Sequence, residues 1–324
     1  MNSANATALP FLNRLVLPLI AAPMLRVSGI ELVVAACRAG VIGAFPTPNA
    51  RTIEELESWL IRLDLERDKA HDAGRPFGAY CPNLIMRRDP NALHQSIARF
   101  AAHRTEVVIT SVGSPAVIMP ALRDAGIRVL ADVASIRHAQ KAIAVGVDGL
   151  VLLTAGSGGK TGWANPFAFV RAIRAFYDGP VVLAGGLSDG ASLRAAQVLG
   201  CTLGYMGTRF IGAAESMASS AYKDMLVASS LDDIVLTRAF TGLPTSWLRA
   251  SIAAAGYDPE TLPEHLSADE ATARFGTVPG TDRPARWADI WSAGHSVSGV
   301  RQVQSVAEIV AQIQAEYSRA SGVR

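Results

Sequence analysis

The segment from Arg128 to Thr154, RVLADVASIRHAQKAIAVGVDGLVLLT, holds a short apolar run, an amphipathic run and a second short apolar run. The outer two, RVLADV and GLVLLT, are almost continuously apolar, as parallel strands covered on both faces are. Between them IRHAQKAIAVG spaces its apolar residues at helical intervals and stops at Gly146, a residue type that ends helices. Strand, helix and strand in this order predict a βαβ unit on a parallel sheet.

The same unit recurs outward from this point. LVLPLIAA, VIGAF, FGAYC and VVITSV precede it as strands, and PVVLAG and LGYMGT follow. Six further helical stretches, from GIELVVAACRAG to GASLRAAQVLG, lie between and beside them. Thr52 followed by Glu55 makes a capping box, and Gly40, Gly126 and Gly200 stand where helices should close. Eightfold alternation from Leu15 to about Ser230 predicts a closed (β/α)8 TIM barrel rather than an open doubly wound sheet. Past Leu231 the rhythm breaks into AFTGLPTSWLRAS, the Pro/Gly stretch FGTVPGTDRPARW and a final helix, VAEIVAQIQAEYSRA. The reading is a barrel over residues 1–230 and a mostly helical extension over 231–324, capping the barrel mouth as part of one unit.

Composition narrows the function. Apolar residues make up 50% of the 324 and charged ones 18%, which describes a globular chain. A net charge of +2 without a Lys/Arg-rich run offers nucleic acid no footprint. Cys37, Cys81 and Cys201 are odd in number and lack CxxC spacing, against a disulfide framework or a structural zinc site, and a reduced cytoplasm is expected. The N-terminal RLVLPLIAAPM is interrupted by two prolines and reads as a strand rather than a leader. No apolar run approaches the ~20 residues that span a bilayer.

In a barrel the chemistry sits where strands end. Three consecutive ends are glycine-rich: AGSGGKTG after the sixth strand, AGGLSDG after the seventh and MGTRF after the eighth. The last two form the usual phosphate site of this architecture, which makes Gly185, Gly186, Gly207 and Thr208 phosphate candidates. Tight barrel turns are the plainer explanation of any one pair. The first loop flanks Lys160 with Gly158 and Gly159, leaving room for a ligand beside the amine.

These stretches, with PLIAAPM, AYCPNLIM, VVITSVGSP and DIWSAGHSVSGV, resemble the nitronate monooxygenases, also called 2-nitropropane dioxygenases, FMN-dependent barrels related to flavin-dependent enoyl-ACP reductases. The resemblance implies that backbone around Pro23 and Met24 lies against the flavin ring, that Asn83 contacts the flavin, and that Gly185, Gly186, Gly207 and Thr208 hold the FMN phosphate. Taken alone, Asn83 reads equally well as a turn residue.

Three positions depart from the family pattern. Lys160 stands where the family's catalytic histidine is expected; lysine, near pKa ~10.4 when free, is a base only if burial or a neighbouring cation depresses it, and otherwise serves as an acid or anion clamp. Asp132 occupies a position where several members carry a flavin-contacting lysine; it stabilises no reduced, anionic flavin unless protonated or turned away, and an ion pair with Lys160 or an arginine is the alternative. His295 stands where relatives often have glutamine and is the candidate to replace the missing imidazole, whereas His71, His94, His103 and His138 read as surface or packed helix residues.

The function expected is an FMN-dependent oxidoreductase acting on a small carbon acid or nitronate, its electrons supplied by the substrate or by NAD(P)H. The alternatives are an FMN-dependent enoyl-thioester reductase or acyl-CoA dehydrogenase taking a CoA thioester, and a Schiff-base lyase using Lys160. Oligomeric state is not legible in the sequence.

Overall fold

The computed structural model describes residues 9–263, 266–276 and 284–322. Eight parallel strands close into a barrel: β1 (Leu19–Ala21), β2 (Ile42–Pro46), β3 (Tyr80–Ile85), β4 (Val107–Ser111), β5 (Arg128–Val133), β6 (Gly149–Leu153), β8 (Val181–Ala184) and β9 (Leu203–Met206), with β9 returning to pair with β1. All eight strands read from the sequence are present, and their near-complete burial explains why they read as unbroken apolar runs.

Alternating strand residues point inward or outward. The inward set, including Ile20, Ile42, Cys81, Ile109, Leu130, Val151, Val182 and Leu203, forms one cluster with Leu9, Phe11 and Leu12 of the N-terminal segment, which plugs the end where strands begin. The outward set packs beneath the helices. Thr52 caps its helix through its side chain, accepting from Glu55 N–H at 3.1 Å, and Gly40, Gly126, Gly146 and Gly200 all have positive φ.

The extension divides. The helix Val306–Ala320 packs between the helices Gly190–Leu199 and Ile30–Arg38, completing the outer ring of the barrel. The remainder lies at the strand-end face and contains two strands that the sequence reading missed, β10 (Ile234–Thr237) and β11 (Thr245–Leu248). They join β7 (Gly159–Lys160), a two-residue excursion from the loop after β6, in an antiparallel sheet ordered β10, β11, β7. Beneath it Phe240, Trp247, Ile252, Phe275 and Ile290 form a separate aromatic-rich core. Of the Pro/Gly stretch between Leu262 and Pro284, residues 264–265 and 277–283 lie outside the described residues. Among the described residues no helix is long and apolar enough to cross a membrane.

Candidate active site

The strand ends open into a cavity of about 880 Å³, toward the upper end of the ~300–1,000 Å³ that ligand sites usually occupy, large enough for a cofactor and a substrate together. Its wall includes Pro23, Met24, Asn83, Asp132, Gly158, Gly159, Lys160, Gly185, Gly186, Gly207 and Thr208. One topology brings together residues from six different strand ends.

The loop after β1 is fixed by two buried polar side chains. Ser28 Oγ accepts from Met24 N–H at 2.9 Å and donates to Ala22 O at 3.0 Å. Asn49 donates to Met24 O and Ser28 O, each at 2.9 Å, and accepts from Arg26 N–H at 2.8 Å. Pro23 and Met24 therefore present a rigid wall. Asn83 at β3 donates to Ile109 O at 3.4 Å and accepts from Ser111 Oγ at 3.2 Å, so its amide is oriented by β4 and is not serving as a helix cap.

At the next pair of strand ends the backbone is shaped to expose donors. Gly185 and Gly186 have φ of 124° and 74°, a conformation that strains any other residue type, and a Cβ on Gly185 would lie 2.4 Å from Thr154 Oγ1. Thr154 and Ser157 both donate to Ala184 O at 2.8 Å and lock this turn from the β6 side. The N–H groups of Gly185, Gly186 and Gly207 donate to no described residue. The neighbouring helix Gly190–Leu199 is already satisfied at its N-terminus, since Asp189 accepts from Ser192 N–H and Glu316 from Gly190 N–H. An anion here thus meets loop backbone rather than that helix end.

Lys160 is delivered by β7, where it lies opposite Thr245 of β11. Gly159 N–H donates to Ser292 Oγ at 2.6 Å, and Ser292 donates to Ser246 O at 2.6 Å, so three segments clamp this strand. Trp287, at φ 68°, packs on Trp247 with ring centroids 4.5 Å apart and lines the cavity beside Gly159. Val112, at φ 58°, also lines it. Such conformations are costly for bulky or β-branched residues, and strain of this kind gathers at working sites.

Burial pushes the Lys160 ammonium below its ordinary range; Arg87 and Arg286 push the same way, and Asp132 only partly opposes them. Burial raises the Asp132 carboxyl to about 7 against the pull of Lys160. The two form no ion pair, and Asp132 Oδ1 is enclosed without a hydrogen-bond partner. The alternative reading, an ion pair of Asp132 with Lys160 or an arginine, is therefore corrected: among the described residues Asp132 forms none, the residue lines the cavity, and burial raises its carboxyl.

The structure does not bring the His295 ring to this wall. The backbone N–H of His295 donates to Gly156 O at 3.0 Å and the exposed ring rests against Gly156, while its neighbours Ser292 and Ser296 line the cavity. The tail motif nevertheless closes on the phosphate-type loop, because Gly294 N–H donates to Thr208 Oγ1 at 2.9 Å. His138 is exposed, as its reading as a surface residue has it, and with Lys141, one helical turn on, it also lines the cavity. Arg238, Trp163 and Trp287 also belong to the wall. The i, i+3 spacing of His138 and Lys141 immediately after β5 was the signal for that pair; nothing local marks Asn49, Arg238 or Trp287, which arrive through tertiary contacts.

The chain matches the family model described as nitronate monooxygenase over residues 8–316. It is 28% identical to a nitronate monooxygenase of Paraburkholderia phytofirmans, the match covering 92% of each chain. It is also 28% identical, over 70% of its length and 61% of the relative's, to a (3aS,4S,5R,7aS)-5-hydroxy-7a-methyl-1-oxo-octahydro-1H-indene-4-carboxyl-CoA dehydrogenase of Rhodococcus jostii. Among solved structures, FabK from Thermotoga maritima superposes with a TM-score of 0.74 at 23% identity, covering 99% of this chain and 98% of that one. The nitroalkane oxidase from Streptomyces ansochromogenes gives 0.72 at 22%, covering 99% of both. At these identities the structural likeness speaks for the fold. The family match spans the barrel and the segment that closes on its strand ends alike: this chain belongs to the nitronate monooxygenase family and is an oxidoreductase acting on a small molecule.

Proposed function

We propose that the cavity holds FMN and that the enzyme oxidises a small carbon acid or nitronate, with Lys160 meeting the reacting end of the substrate. The observation that carries this reading is a single wall presenting both unspent N–H donors at Gly185, Gly186 and Gly207 and a lysine without an ion-pair partner among the described residues. One terminal phosphate suits those glycines, and no GxGxxG dinucleotide unit accompanies them, which supports FMN over FAD. Thr208 keeps its hydroxyl proton to give, since its oxygen accepts from Gly294. Pro23 and Met24 would bear on the ring and Asn83 on its polar edge. Bound flavin supplies a two-electron acceptor.

The protein's own part is electrostatic and acid–base. Charged, Lys160 orients an anionic oxygen of the substrate; neutral, it takes a proton from the carbon beside the activating group. Burial and the nearby guanidinium groups favour the neutral form. Arg238, Leu243, Pro244, Trp287 and Ser292 of the extension line the cavity, which supports its role in closing the mouth and keeping water from the reaction.

A second reading, oxidation or reduction beside a CoA thioester, is favoured by the carboxyl-CoA dehydrogenase relative and by Lys141 and Arg238 on the cavity wall, cations suited to phosphates. The deciding experiment is the visible spectrum and cofactor mass of the purified protein, followed by anaerobic reduction with nitronates, CoA thioesters and NAD(P)H. FMN reduced by a nitronate establishes the first reading, and FMN reduced only by thioesters establishes the second. A colourless protein that takes up no flavin overturns both.

A further inference from the structure

Asp132, next to last in β5, lies half-buried on the wall of the cavity, with its Oδ1 enclosed and without a hydrogen-bond partner among the described residues. Ionised, the carboxylate would leave Oδ1 desolvated with nothing donating to it, an arrangement proteins avoid. Its surroundings offer little rescue. Cys81 on β3 and Tyr205 on β9, which both sense it, are kept protonated by burial. Lys160 on β7 is itself driven toward neutrality by burial, Arg87 and Arg286. Asn83 is engaged with Ile109 and Ser111, and the other basic groups on the cavity wall, His138 and Lys141 of the helix after β5 and Arg238 of the extension, form no ion pair with Asp132 among the described residues. A neutral carboxyl reverses the difficulty, because it carries an O–H and needs only an acceptor in the cavity.

We propose that Asp132 serves the bound flavin as a neutral carboxylic acid, donating its O–H to the polar edge of the ring at the position where relatives place a cation. This rests on the FMN reading. A lysine there supplies fixed positive charge; Asp132 supplies a proton whose attachment depends on the flavin's redox state. Negative charge arriving on the ring tightens the hold of Asp132 on that proton. While Asp132 is protonated in the oxidised protein, two electrons from substrate or dithionite bring one proton to the flavin. Once it is ionised, the same two electrons bring a second proton from solvent, onto Asp132. Electron uptake thus becomes more strongly coupled to pH through a residue of the protein.

The test is the midpoint potential of the purified flavoprotein, followed from pH 5 to pH 9 with indicator dyes. Wild type is expected to double its dependence on pH above about pH 7, from one proton per two electrons to two. Asp132→Asn, which keeps the size and a donor but cannot ionise, is expected to hold one proton per two electrons throughout. Infrared spectra of oxidised wild type at pH 6 should show a protonated carboxyl band that Asp132→Asn lacks. A single slope in wild type over the whole range, or no such band, overturns the proposal without recourse to any variant. Cofactor mass separates the two failures: no FMN defeats the cofactor reading, whereas bound FMN with one unbroken slope defeats the role of Asp132 alone.

Discussion

The flank where the helix Ile53–Asp72 meets Pro90–Ala102 and the open end of the barrel handle charge in opposite ways. On the flank His103 reaches Glu57 at 2.9 Å and Asp64 at 2.7 Å, Arg99 meets Glu57 at 3.1 Å, and Arg67 meets Asp64 at 2.8 Å. Tyr80 donates to Asp64 at 3.1 Å and to His103 O at 2.6 Å. Each of these charged groups has an ion-pair partner, although Glu57 Oε2 and Arg67 Nη2 meet theirs without hydrogen-bond geometry. At the barrel mouth Lys160 and Asp132 share a cavity without pairing, and both are pushed toward their neutral forms. Groups matched to one another hold the fold; groups left unmatched keep their bonding capacity for a ligand, at some cost in stability.

Removing the unmatched amine should have the largest effect. Lys160→Met is expected to slow flavin reduction by substrate roughly 10²-fold or more, the scale of one acid–base or electrostatic group, while FMN stays bound and the melting temperature does not fall. Stopped-flow reduction and thermal unfolding check both halves, and an unchanged rate removes Lys160 from the chemistry. Next comes the phosphate turn. Gly185→Ala forces a side chain onto φ 124° and against Thr154, so FMN affinity should drop about tenfold or more, read by fluorescence titration of the flavin-free protein.

Breaking the matched side should move stability and leave turnover alone. Burial pulls the His103 imidazolium down, but Glu57 and Asp64 more than offset it and hold its pKa above the ordinary value. Its contribution is then complete below about pH 6.5 and disappears as pH rises through the raised folded value. His103→Gln should destabilise by about 1 kcal/mol at pH 6 and by less at pH 9 in urea unfolding. The smallest change is expected at the exposed Arg62–Glu31 pair, where Arg62→Ala should shift stability by no more than about 0.5 kcal/mol.

The barrel was legible because each of its strands is buried on both faces and flanked by an amphipathic helix, so two independent periodicities mark every unit. β7, β10 and β11 carry neither mark: Gly159–Lys160 is two residues long, and IVLT and TSWL become strands only by pairing across the extension. The glycines at Gly185, Gly186 and Gly207 could be read because backbone shape is written in residue type. Asn49 and Ser28 could not, since their worth lies in reaching back to the loop after β1. His295 shows the limit of a motif. SAGHSVSG does bring its backbone to the strand-end loops, through Gly294 and Thr208, yet the direction of the ring is set by contacts with Gly156 that the motif does not encode.

The ladder that carries Lys160 makes its aim a question of odd and even. Gly159 stands opposite Ser246 and Lys160 opposite Thr245, and side chains on such strands alternate between faces. Where a one-residue deletion between β6 and β7 is absorbed by a one-residue slip of that pairing, the amine goes to the reverse of the sheet, whereas a slip of two returns it to the cavity. Loop-length variants of this chain should therefore fall into two classes by parity, active and inactive, with little regard to which residues were gained or lost.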